Sequence, residues 1–110
     1  MADLDVKKLV DDMIAAAAKI LGKNWQAAKE YAVPEFETLA QAALKVGREL
    51  AAGDISGEQA RTMLQINRSS LATVTMTLKG MGMIAAEEAV NAAFELARGA
   101  LNAVIGRQVL

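Results

Sequence analysis

The sequence predicts an all-α fold, a four-segment antiparallel helical bundle forming one domain over residues 1–110. Three observations carry this. Alanine, the strongest helix former, fills 23 of the 110 positions. Apolar residues recur at alternating steps of three and four along four successive segments. The segments are separated by glycines and capping residues at Gly22, Gly53–Ser56 and Gly80–Gly82.

The first segment, 4–21, places Val6, Val10, Met13, Ala17 and Ile20 on one stripe, with Asp3 or Asp5 as N-cap and Gly22 as stop. The second, 25–52, keeps the same rhythm through Trp25, Ala28, Ala32, Phe36, Leu39, Ala43, Val46 and Leu50, with Asn24 as candidate cap. Pro34 interrupts the backbone bonding but not the phase, which predicts a kinked helix instead of two helices. Ser56 and Gln59 have capping-box spacing at the start of the third segment, 57–79. Its stripe is Ala60, Leu64, Asn67, Leu71, Val74 and Leu78. The β-branched run Thr73–Thr77 reads locally as strand, but a lone strand has no pairing partner here, so the segment is expected to be helical.

The fourth segment, 83–109, is the most apolar, with the stripe Met83, Ala86, Val90, Ala93, Ala97, Leu101 and Val104. It is two residues out of phase with the third, so a turn is expected at Gly80–Gly82; a single continuous helix across these glycines is the alternative. Its polar groups form one thin line from Glu87 and Glu88 through Asn91, Glu95 and Arg98 to Asn102. Such a helix needs cover on most sides. If siblings shelter only half its circumference, a second surface must shelter the rest.

Composition narrows the function classes. The chain has no histidine and no cysteine, which removes the side chains that do most nucleophilic, acid–base and transition-metal chemistry near neutral pH. No enzyme activity and no cofactor are expected. The carboxylate pairs Asp11/Asp12, Glu35/Glu37 and Glu87/Glu88 read as wetted helix faces, as do Glu88 and Glu95, the best-spaced pair for acid–base work. Gly80-Met81-Gly82 lacks the strand-to-helix setting of a phosphate loop. A net charge of −1 is no footprint for nucleic acid. The longest uncharged stretch, 69–78, is too short and too rich in Ser and Thr to span a bilayer. The absence of cysteine fits a cytoplasmic setting.

Hydrophobic residues make up 54% of the chain. Counted with glycine, the apolar share reaches roughly 60%, against a usual ~45–50%. The surplus points to a homo-oligomer or a protein partner. The expected function is therefore a non-enzymatic, self-associating subunit acting in assembly or scaffolding. The interface is expected on Ala86, Val90, Ala93, Ala97, Leu101 and Val104, with Asn67 as a register-setting polar residue in the seam. The alternative is a protein that binds a membrane or lipid surface through its fourth helix. Met63, Met76, Met81 and Met83 read as adaptable core filler, and Trp25, Tyr31 and Phe36 as filling for the wide end of the bundle.

Overall fold

In the computed structural model, residues 5–105 are described, with side chains through 103. Four α-helices lie among them: α1, Val6–Leu21; α2, Trp25–Ala51; α3, Gly57–Gly80; and α4, Ala86–Ile105. They pack side by side in an antiparallel bundle, 43 Å long and 22 × 20 Å across. That length is about the ~40 Å that a helix the size of α2 spans at 1.5 Å per residue, so the longest helix sets the length of the domain.

Each helix starts and stops for a local reason. The Asp5 carboxylate accepts the Lys8 N–H at 3.0 Å and opens α1. Gly22, at φ 57°, closes it. A single 3₁₀ turn, Gly22–Asn24, then runs straight into α2. Asn24 makes no side-chain cap bond. The expected cap is redundant because the 3₁₀ turn already feeds the Trp25 N–H to the Gly22 carbonyl.

α2 passes through Pro34 as one helix. The proline leaves the Glu30 carbonyl without its helical donor, and the Thr38 hydroxyl donates to the Pro34 carbonyl at 3.0 Å one turn later. Both halves of the expected capping box form at α3: Gln59 N–H to Ser56 Oγ at 3.1 Å and Ser56 N–H to Gln59 Oε1 at 2.8 Å. Ser56→Ala is expected to cost about 1 kcal/mol, read as a lower urea midpoint at unchanged slope.

The turn between α3 and α4 is real, and α3 runs one residue further than expected. Gly80 is helical; Gly82 takes the left-handed conformation at φ 88°. The Met83 N–H reaches back to the Leu78 carbonyl at 3.0 Å, the long bond of a Schellman motif, and both side chains are buried. No Ser, Thr or Asp caps α4. Glu87 and Glu88 in its first turn complement the helix dipole instead, and the Met83 carbonyl accepts the Ala86 N–H.

The core is assembled from the four stripes. Met13, Phe36, Leu39, Val46, Leu71, Leu78 and Leu101 are its largest fully buried side chains. No polar or charged residue is buried among the described residues. Of the three clustered aromatics only Phe36 is core; Trp25 is half-buried and Tyr31 is exposed. The methionines divide likewise: Met13 and Met83 are buried, while Met76 and Met81 face out. Alanines at the contacts of α4 (Ala86, Ala89, Ala93, Ala97) let it pack against α1, α2 and α3 at once.

Candidate interaction surface

The stripe expected to meet a partner is spent inside the bundle. Ala86, Val90, Ala93, Ala97 and Leu101 are all buried against the chain's own helices. The premise that siblings cover only half of α4 fails, because all three siblings touch it. Besides its thin polar line, α4 leaves only Leu96, Gly99 and Ala103 exposed among the described residues. Val104 lies in α4, but its side chain falls outside the described residues. Asn67 is half-buried at the rim of α3, and its amide donates to its own helix at the Met63 carbonyl, 3.0 Å away. It therefore sets no register in the core seam.

The apolar surplus emerges on α3 instead. The buried stripe Ala60, Leu64, Leu71, Val74 and Leu78 has a counterpart two residues further on, about 200° around the helix. This outer row is Thr62, Ile66, Ser69, Thr73, Met76 and Gly80, all exposed. Ile66 is 64% and Met76 73% exposed, and beyond the helix end Ile84 is 93% exposed. No charge interrupts the row. Hydroxyls of α3 turn back to their own helix: Thr62 and Ser69 on the row donate to the Glu58 and Gln65 carbonyls, and Thr75 and Thr77 off the row to the Leu71 and Thr73 carbonyls, at 2.9–3.3 Å. Within the β-branched run, Thr75 and Thr77 satisfy their hydroxyls inside the helix in this way.

Arg61, Arg68 and Lys79 of α3 lie on its flank toward α4, with the arginines at one end of the seam and Glu87 and Glu88 at the other. Arg61 and Arg68, seven residues apart, and Arg98 of α4 line a small groove at one end, floored by Leu64 and Phe94. The Arg68 guanidinium stands over the Phe94 ring, 5.1 Å from its centroid. Arg98 pairs with Glu95 on its own helix. At the other end lie Glu87 and Glu88, with the Lys79 ammonium 2.9 Å from a Glu87 carboxylate oxygen. The arginine cluster was legible only as an i, i+7 spacing on α3; that Arg98 joins it depends on how α4 docks.

The Lys79 hydrogen bond, and then its charge, hold the Glu87 carboxyl below the ordinary glutamate value of 4.5. A depressed folded value means that this pairing contributes above the ordinary carboxylate range and is lost as pH falls through the folded value. In an NMR titration the Glu87 carboxyl is expected to protonate at lower pH than free glutamate, and Lys79→Met to move it back up.

Chemistry has little purchase here. No group of three Asp, Glu, His or Cys side chains among the described residues is placed to hold a metal ion. Glu88 and Glu95, the spaced carboxylates, both stand exposed on α4. No described helix is long and apolar enough to cross a membrane. No family model matches the chain, and neither a curated protein nor a solved structure matches it.

Proposed function

We propose that this chain is a non-enzymatic helical-bundle subunit that associates with copies of itself, in assembly or scaffolding. The observation that carries the reading is the outer face of α3: two strongly exposed apolar side chains, Ile66 and Met76, on a row free of charge. The other large exposed apolar residues of the described surface are Met81 and Ile84 at the neighbouring α3–α4 turn and the isolated Tyr31 and Leu96. Strongly exposed apolar side chains on one charge-free helix face are surface that a second copy can cover. The reading as non-enzymatic rests on a composition without histidine or cysteine, and the cysteine-free composition also favours the cytoplasm.

Lipid-surface binding through α4 is the weaker reading, because the apolar side of α4 is already core and the bundle would have to open to expose it. Light scattering tests the proposal. At micromolar concentration the native chain is expected at a multiple of 11.6 kDa, and Met76→Glu at 11.6 kDa with a cooperative melt lowered only by the lost association. A native mass of 11.6 kDa across that range overturns it.

A further inference from the structure

We infer that two copies pair through α3 in antiparallel register about a two-fold axis level with Leu71, setting Ile66 of each copy against Met76 of the other. This rests on the self-association just proposed and specifies its geometry.

The row itself is symmetric about that level. Ile66 and Met76 lie equally far before and after Leu71, as do Ser69 and Thr73, and Thr62 and Gly80. Turning a second α3 end for end therefore lays each large apolar side chain on the other kind. The small Ser69 and Thr73 meet nearer the axis, where they let the backbones approach. A parallel pairing would set Met76 on Met76 and leave the same row with no such match.

Charge selects the same arrangement independently. An antiparallel two-fold axis lies perpendicular to the plane of the paired helices, so it keeps both α4 helices on one side of the pair. The basic end of each seam then faces the acidic end of the other. The Lys79–Glu87 bond fixes the level of the acidic end, placing Glu88 beside the last turns of α3. In the antiparallel register that level falls between Arg61 and Arg68 of the second copy, about one helical turn from each. Glu88 has no ion pair within its own chain among the described residues, and the Arg68 guanidinium is engaged only by the Phe94 ring. A parallel two-fold axis would put the two α4 flanks on opposite sides of the pair and leave Glu88 with no arginine of the second copy to face.

The chain contains no cysteine, so introduced thiols report on the register in the full-length protein. Under mild oxidation, Ser69→Cys/Thr73→Cys is expected to form a disulfide-linked dimer. Thr62→Cys alone and Gly80→Cys alone are not, because antiparallel pairing holds each about 27 Å from its own counterpart, far beyond disulfide reach. Glu88→Arg is expected to weaken dimerisation about tenfold, and Arg68→Glu added to it to restore the native affinity. Self-linking of the single Thr62→Cys or Gly80→Cys variants establishes a parallel register and overturns the inference. So does a dimer by light scattering in which the Ser69→Cys/Thr73→Cys variant fails to link, since another face then pairs. A native chain that stays monomeric overturns self-association itself, whether it instead floats with lipid vesicles or binds a different protein.

Discussion

Ala93→Glu is expected to abolish cooperative folding, with loss of the sigmoidal melt in far-ultraviolet circular dichroism. Ala93 is fully buried on α4, which packs against the other three helices, and nothing polar is buried in the described core to receive a carboxylate. An ionised group there has neither water nor a cation, a cost of several kcal/mol even after the site relaxes. Protonation relieves part of this but leaves a polar, longer side chain in an alanine-sized space, adding about 1–3 kcal/mol of overpacking. A domain of this size has only about 5–15 kcal/mol to lose. The comparison with Met76→Glu is the informative one. Both changes introduce one acid into an apolar setting, but Met76 is exposed and its variant is expected to keep a cooperative melt, lowered only by the lost association. If Ala93→Glu also folds and melts normally, the packing of α4 described above is wrong.

Leu101→Ala is expected to destabilise the bundle by about 2–5 kcal/mol, measured by urea denaturation. Leu101 is fully buried, and its side chain reaches α2 at Gly47. A Cβ placed on Gly47 would stand 2.8 Å from Leu101 Cδ1. Glycine is thus tolerated in the middle of α2, at ~0.5–1 kcal/mol of helix propensity, because the leucine needs the room. Gly47→Ala alone sets that propensity gain against a crowded core and is expected to gain nothing. In the Leu101→Ala background the same methyl enters vacated space and is expected to recover about 1 kcal/mol, a coupling that a double-mutant cycle reads directly. Additive effects would mean that the two residues do not meet.

Much of this architecture can be read from residue spacing. The stripes of α2, α3 and α4 are buried nearly as the three-and-four rhythm orders them, because a bundle imposes one inward face on each helix. The capping box at Ser56 was equally plain, being a contact within four residues. What spacing cannot convey is how many neighbours a helix has. The α4 stripe of Ala86, Val90, Ala93, Ala97 and Leu101 looked like surplus on the expectation that siblings shelter only half of the helix, whereas alanine at its contacts lets all three siblings pack closely. α3 was misleading in the opposite sense: Met76 was expected as core filler and Ile66 fell off the stripe unmarked, yet both face outward. The sorting of charge along the α3–α4 seam is a property of two helices together, so neither segment announces it alone.

The inward-turned hydroxyls of α3 change what its threonines and serines mean to a neighbour. A hydroxyl whose proton already sits on the carbonyl one turn back has no proton left to offer water, and a threonine so tied displays its methyl. Hydropathy scales score each such residue as thirsty. The drying of this helix on contact with another surface is correspondingly cheap: few solvent bonds must be broken, and the donors that remain satisfied need no replacement from the newcomer.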